Sequence, residues 1–133
     1  MEPPIFVEHT ACDPRRHFWI RAVDRVPADE RLQRALLAYV SDFYLLETAL
    51  LPHAGTFLER QMASIDHAMW FYDHLDVGDW FLYSLGSPNA SAARGLASGT
   101  VFSRDGRHVA TVGQEGLMRR RTVRSPSGDP PPA

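Results

Sequence analysis

The stretch RLQRALLAYVSDFYLLETALL, residues 31–51, decides the fold. Apolar side chains recur in it at steps of three or four residues, as they do along one face of a helix. The repeating positions are Leu32, Leu36, Val40, Phe43 and Leu50. Asp42 and Glu47 are the only charges after Ala35, and a helix that is apolar on most sides is buried. The sequence therefore predicts one long central helix over 31–51, wrapped by a sheet.

Residues on either side of this stretch indicate where the helix begins and ends. Pro27 suits the first turn, and Asp29 and Glu30 place negative charge at the positive end of the helix dipole. Pro52 and Gly55 follow the last apolar residue and stop the helix.

The remaining sequence predicts strands. HFWIRAV, residues 17–23, has the aromatic and β-branched content of a strand before the helix. Four runs after the helix are also compatible with strands: 61–72, 80–85, 92–103 and 107–119. Asp105-Gly106 between the last two runs is a hairpin signal, so those strands are expected to be antiparallel neighbours. One helix on one antiparallel sheet is a two-layer α+β architecture, and the hotdog fold has this order of elements.

Composition limits the domain organisation and the class of partner. We expect a proline-rich leader over 1–16, one domain over 17–121 and a disordered tail over 122–133. The net charge of −2 gives no basic field for nucleic acid or an anionic membrane. The sequence shows no signal peptide and no apolar run long enough to span a bilayer, and its single cysteine, Cys12, fits a reducing compartment. These features predict a cytoplasmic protein.

Asp66 is the first candidate for chemistry, because it interrupts the apolar run SIDHAMW, residues 64–70. In a regular strand Asp66 shares a face with Ser64 and Trp70, while His67 points the other way. Burial of a carboxylate raises its pKa unless donors satisfy it, and a carboxylate of that kind is a plausible general base for water. The alternative is a structural aspartate bonded to backbone amides or to an arginine.

Two further features are compatible with a hydrolytic site. Gln114 interrupts the last predicted strand, and its amide can both donate and accept, which suits it to holding a water or a carbonyl. It can equally be an edge residue that faces solvent. The run SLGSPNASAARG, residues 84–95, is a predicted loop of small and hydroxylated residues that leaves space for a narrow ligand. Serines in loops are usually turn formers, and the Gly-x-Ser-x-Gly pattern of a nucleophile elbow is absent.

Taken together, SIDHAMWF (64–71), SPNASAARG (87–95) and QEGLMR (114–119) resemble the C-terminal half of type II acyl-CoA thioesterases, the bacterial TesB-like and peroxisomal enzymes. The helical segment LLAYVSD, 36–42, and the strand FWIR, 18–21, are also similar to that family. The resemblance covers roughly residues 17–121. It implies a hotdog fold and hydrolysis of fatty acyl-CoA to a free fatty acid and coenzyme A, with no cofactor.

The resemblance also implies a set of site residues. The family uses an aspartate, a hydroxyl residue and a glutamine to orient the attacking water, and the motifs match these to Asp66, Ser87 and Gln114. Some relatives carry threonine at the position of Ser87 or one residue later, where this chain has Pro88. Ser91 is the alternative for the hydroxyl. The expected mechanism is direct attack by water, with backbone N–H groups stabilising the oxyanion.

Other polar residues are rival candidates for a role in the site. Asp42 lies inside the apolar helix, and some hotdog enzymes use a helix carboxylate. His67 is expected to be a structural residue. Asp66, His67, Asp73 and His74 do not have the spacing of a closed metal site, so no metal is expected. The run Arg119, Arg120 and Arg121 could meet the phosphates of coenzyme A, although such runs are usually only solvated.

Length sets the expectation for partners. Members of the family carry a first hotdog domain before the matched half, and a lone hotdog leaves a sheet edge and part of its helix layer uncovered. We expect either a homodimer, which is favoured, or pairing with a separate N-terminal hotdog half. The competing function is a non-hydrolytic hotdog that binds acyl-CoA or acts as a structural subunit.

Overall fold

The computed structural model describes residues 10–55 and 59–121, so the predictions for 1–9 and 122–133 lie outside it. Within the described residues, one α-helix and one short 3₁₀ helix pack on one face of a six-stranded antiparallel sheet. The strands follow the order β1-β4-β5-β6, and both β2 and β3 pair with β6. The elements are β1 Arg15–Ile20, α1 Glu30–Ser41, the 3₁₀ helix Leu46–Leu50, β2 Arg60–Ser64, β3 Ala68–Phe71, β4 Phe81–Ser91, β5 Arg94–Ser103 and β6 His108–Arg120. The predicted α+β hotdog architecture is confirmed.

The helix begins where the acidic residues predicted it. Asp29 is the N-cap of α1, and its Oδ1 accepts hydrogen bonds from the backbone N–H groups of Arg31 at 2.8 Å and Leu32 at 3.1 Å. These bonds satisfy two of the donors that a helix leaves unpaired at its start. Pro27 therefore lies before the helix rather than in its first turn.

The helix is shorter than the periodicity predicted. It ends at Ser41, Tyr44 has a positive φ of 61°, and a separate 3₁₀ helix follows from Leu46. The Ser41 carbonyl accepts a 2.6 Å hydrogen bond from the hydroxyl of Tyr83 on β4, which replaces the bond that a continuing helix supplies. A tertiary contact thus overrides the local pattern, and Asp42 becomes the helix C-cap instead of an interior residue.

The prediction of one strand over 61–72 was also wrong, because a bulge divides that strand. β2 pairs Ser64 with Gly116, whereas β3 pairs Ala68 with Gly113. Three residues, 65–67, therefore face two on β6. One extra residue reverses which side chains point to the helix. Ser64 consequently shares the helix side with Met69 of β3, although regular alternation would place them on opposite faces.

The predicted loop over 84–95 is instead formed by the end of β4, a two-residue turn and the start of β5. β4 continues to Ser91, β5 starts at Arg94, and the turn between them consists of Ala92 and Ala93, with φ of 50° and 60°. Positive φ at both turn residues matches the twist of antiparallel strands. The predicted hairpin at Asp105-Gly106 is confirmed by the antiparallel pairing of β5 with β6.

The core lies between the sheet and the helical segments. Leu37 of α1 and Leu45 pack against buried side chains of the three central strands, including Phe81, Tyr83 and Val101. A second cluster joins the 3₁₀ helix to Met62 and Met118 at the other end. No helix in the described part of the chain is long and apolar enough to cross a membrane.

Gly116 on β6 allows the 3₁₀ helix to approach the sheet. A Cβ built on Gly116 lies 2.2 Å from Leu46 Cδ2, so Gly116→Ala is expected to lower the free energy of unfolding by about 1–3 kcal/mol. Denaturant unfolding measures the loss. Gly113→Ala on the same strand is the matched control, because its nearest side-chain atom is 3.8 Å away in Trp70. Equal destabilisation by both variants would contradict the packing account.

Candidate active site

A cleft of about 490 Å³ lies between the end of α1 and the bulge that separates β2 from β3. Its walls combine apolar side chains with a cluster of polar groups. The lining residues are Ala38, Tyr39, Asp42, Phe43, Ser64, Ile65, Asp66, His67 and Gln114. Large apolar side chains beside a few convergent polar groups are typical of small-molecule sites.

Gln114 is the centre of the polar cluster. It is 1% exposed, and its Nε2 donates hydrogen bonds to Asp42 Oδ1 at 2.7 Å and to Ser64 Oγ at 2.9 Å. These two bonds use both amide hydrogens, so the side chain has no donor left for a substrate. Its Oε1 is buried and has no partner among the described residues. The alternative that Gln114 is an edge residue facing solvent is therefore excluded.

Asp42 provides the carboxylate that Gln114 contacts. As the C-cap of α1 it projects from the helix end, and its side chain is 62% exposed although Gln114 holds one of its oxygens. A carboxylate that is fixed on one oxygen and open to water has the arrangement that a general base requires.

Ser64, the last residue of β2, provides a hydroxyl to the same cleft. Its Oγ accepts the hydrogen bond from Gln114, which leaves the hydroxyl hydrogen free to donate. Asp42 and Ser64 therefore place an acceptor and a donor on the two sides of one amide group. This pair can bind and polarise a water molecule.

Asp66 lines the same cleft but makes a different contact. It is exposed rather than buried, so the prediction of a desolvated carboxylate was wrong. Its Oδ1 accepts a 2.7 Å hydrogen bond from the backbone N–H of Glu115, a donor that the bulge removes from the ladder. A bond of this kind is what the structural alternative for Asp66 predicts.

The structure does not bring the predicted loop serines to the cleft. The hydroxyl of Ser87 donates a 2.7 Å hydrogen bond to the carbonyl of Leu96 on β5. The hydroxyl of Ser91 accepts from Asn89 beside the hairpin turn. Neither serine is among the residues that line the cleft.

His67 also lines the cleft. Its Nε2 lies 2.8 Å from Ser41 Oγ and its Nδ1 lies 3.8 Å from Asp42 Oδ1. Tyr83 closes this network by donating to the Ser41 carbonyl. Burial, and to a lesser extent the charge of Asp42, raises the pKa of the Tyr83 phenol well above its usual value, so the hydroxyl remains a donor.

The other rival residues have separate roles. Asp73 forms an ion pair with Arg107, and its bonds to the backbone of His74 and to Arg107 lower its pKa. No group of three or more potential ligands that could hold a metal ion occurs among residues 10–55 and 59–121. The arginines at 119–121 lie at or beyond the end of β6 and are exposed.

Ser64 was missed by the sequence reasoning, and Asp42 was ranked only as a rival. The available signals were a carboxylate in an apolar helix and a hydroxyl two residues before Asp66. Neither signal indicates that the two groups meet, because Gln114 is 72 residues from Asp42 and 50 from Ser64 in the chain.

Comparison with known proteins identifies the family of this chain. The family model for acyl-CoA thioesterases matches residues 5–117 of the chain. The chain belongs to the acyl-CoA thioesterase family. It is 43% identical over 112 residues to acyl-CoA thioesterase 2 of Haemophilus influenzae, covering 83% of this chain. It is 38% identical over 120 residues to acyl-coenzyme A thioesterase 8 of Mus musculus, covering 90% of this chain. The chain spans only 39% and 38% of the lengths of these two relatives.

Solved structures agree with the fold. The acyl-CoA thioesterase II TesB2 of Mycobacterium marinum superposes with a TM-score of 0.75 at 38% identity, over 84% of this chain and 43% of that one. A thioesterase family protein from Silicibacter pomeroyi superposes with a TM-score of 0.65 over 86% of this chain and 85% of that one. At 15% identity the second comparison supports the fold alone.

Proposed function

We propose that this chain hydrolyses fatty acyl-CoA thioesters, with Asp42, Ser64 and Gln114 as its active site. The observation that carries the proposal is the single amide of Gln114 that holds both the Asp42 carboxylate and the Ser64 hydroxyl. This replaces the assignment of Asp66 and Ser87 that the motif resemblance implied, because neither residue bonds to Gln114. The names of the matched relatives support the substrate class.

In the proposed mechanism a water molecule binds between the two held groups. It accepts a hydrogen bond from the Ser64 hydroxyl and gives a proton to Asp42 as its oxygen attacks the thioester carbonyl carbon. The carbon–sulfur bond then breaks and coenzyme A leaves as a thiolate. Asp42 transfers its proton to this thiolate and becomes a carboxylate again. Gln114 fixes the direction of both groups, which lowers the entropy lost in reaching the transition state.

The apolar walls of the cleft indicate where the acyl chain lies. Tyr39, Phe43 and Ile65 are large apolar residues that line the cleft and are exposed in this structure. Exposed apolar groups beside a polar cluster favour a ligand with an apolar tail. We assign these residues to the binding of the acyl group.

A second hotdog unit is the proposed partner. Among the described residues β1 pairs only with β4, and β2 and β3 pair only with β6, so both ends of the sheet have unpaired edges. An unpaired edge next to exposed Ile65 and Trp70 is a surface that favours strand addition. We expect either a homodimer or a complex with a separate hotdog half, and light scattering distinguishes these from a monomer.

Release of coenzyme A from a panel of acyl-CoAs of increasing chain length tests the function. The free thiol is followed with a thiol reagent over many turnovers, since the exposed Cys12 adds at most one equivalent per chain. Continuous release of thiol is expected. Binding of acyl-CoA without release of thiol would refute hydrolysis and support the non-hydrolytic alternative.

Two serine variants test the assignment of the hydroxyl. Ser64→Ala is expected to lower kcat about 10- to 100-fold, because it removes the donor that holds the water. Ser87→Ala is the matched control and should keep the wild-type rate, since the Ser87 hydroxyl is engaged by Leu96 outside the cleft. Steady-state kinetics on one acyl-CoA measures both. Loss of activity in Ser87→Ala alone would restore the assignment made from the motifs.

A further inference from the structure

His67 lies beside the proposed base, and the mechanism above gives it no role. Its ring stands between a hydroxyl and a carboxylate, with Nε2 2.8 Å from Ser41 Oγ and Nδ1 3.8 Å from Asp42 Oδ1. The order serine, histidine, aspartate is the one that activates a nucleophilic serine in many hydrolases. Whether Ser41 can act in that way depends on whether a substrate can reach it.

Ser41 is not accessible to a substrate. It is 1% exposed, and its Oγ also lies 2.7 Å from the carbonyl of Ala38 and 3.2 Å from Sδ of Met69. The hydroxyl of Tyr83 fixes the backbone of Ser41 from the sheet side. Ser41 therefore serves as a rigid anchor that sets the orientation of the His67 ring.

Asp42 needs such a neighbour because it stands at an exposed helix end. A carboxylate there samples several rotamers unless contacts restrict it. Gln114 holds Oδ1 from the sheet, and His67 Nδ1 faces the same oxygen from the bulge. The hydrogen bond from Gln114 and the imidazole 3.8 Å away both restrict this oxygen, which leaves the other oxygen for water.

We propose that His67 is a positioning residue that holds the Asp42 carboxylate toward the cleft, with its own ring held by Ser41. The inference rests on the proposed function of Asp42 as the base. It explains why an imidazole occupies the bulge next to Asp66: the extra residue turns the ring toward the helix end, where Asp42 lies.

Kinetics of two variants provides the first test. His67→Phe keeps a ring but removes both nitrogens, and kcat is expected to fall roughly tenfold with KM unchanged. His67→Asn places an amide nitrogen near the position of Nδ1 and should recover part of that loss. Recovery by Asn is not expected if the residue only fills space, so equal kcat values for the two variants would overturn the proposal.

A double-mutant cycle separates positioning from general stability. If His67 acts through Asp42, His67→Phe should have no further effect on kcat in an Asp42→Asn background. The same fold-loss in both backgrounds would show that the two residues act independently, and that result would overturn the proposal.

Nuclear magnetic resonance tests the link without turnover. The chain has six histidines, so the imidazole nitrogens of ¹⁵N-histidine-labelled protein give few signals, and those of His67 are absent in His67→Phe. Asp42→Asn is expected to shift the His67 signals and to leave those of His17 in place. Unchanged His67 signals would overturn the proposal. A chain that released no coenzyme A would refute the proposed function, while these spectra would still decide the contact between His67 and Asp42.

Discussion

The Asp42→Asn variant is expected to release coenzyme A about 10²- to 10⁴-fold more slowly than the wild type, the range that a positioned general base contributes. Asparagine has nearly the same shape, and its amide oxygen can still accept the hydrogen bond from Gln114. It cannot take a proton from water. The side chain is mostly exposed, so the substitution should leave the midpoint of thermal unfolding almost unchanged. Steady-state kinetics together with a thermal melt measures both quantities.

Asp66→Asn is the matched control for this prediction. Both aspartates line the cleft, but Asp66 accepts from the backbone N–H of Glu115, and asparagine can keep that bond through its own oxygen. The rate is expected to stay within about tenfold of the wild type, because no reacting proton passes through it. A large loss in Asp66→Asn with a small loss in Asp42→Asn would reverse the two roles and favour the assignment implied by the motifs.

The sequence was sufficient for the fold class, because the type of most elements is visible in local patterns. The apolar periodicity after Asp29 predicts a helix, and the Asp105-Gly106 pair predicts a hairpin that the structure contains. The length of the helix was not predictable in the same way. The donor that ends it is the hydroxyl of Tyr83, 42 residues after Ser41 in the chain, and no local pattern reports that contact.

The arrangement of the site depends on the bulge at residues 65–67, which the alternation of side chains along a strand does not predict. In a regular strand Ser64 and Asp66 lie on one face, so alternation predicts that both side chains point into the site. Ser64 pairs with Gly116 and therefore lies on the same face of the sheet as Gln114, whereas Asp66 falls within the bulge and its side chain bonds to the Glu115 amide. Motif resemblance identified the family correctly, but it did not identify which polar residue of each motif meets the others in space.

Gln114→Met is expected to lower kcat about 10²- to 10³-fold, a loss comparable to removing one preorganised hydrogen-bond donor from an active site. Methionine has a similar length but no donor, so Asp42 and Ser64 both lose the hydrogen bond that the amide supplies. The unpaired Oε1 of Gln114 is removed with the amide, and loss of a buried unsatisfied acceptor offsets part of the stability lost with the two bonds. The rate should therefore fall much more than the unfolding temperature does.

Gln33→Met supplies the comparison, because Gln33 is also a buried glutamine with a bridging role. Its Nε2 donates to the carbonyl of Pro27 and its Oε1 accepts from the backbone N–H of Val77, away from the cleft. Both of these partners are backbone groups that lose their bond, so this variant should lower the unfolding temperature while the folded protein keeps its kcat. A similar loss of kcat in both variants would mean that Gln114 acts through stability. A loss confined to Gln114→Met would support an amide that aligns the base and the hydroxyl.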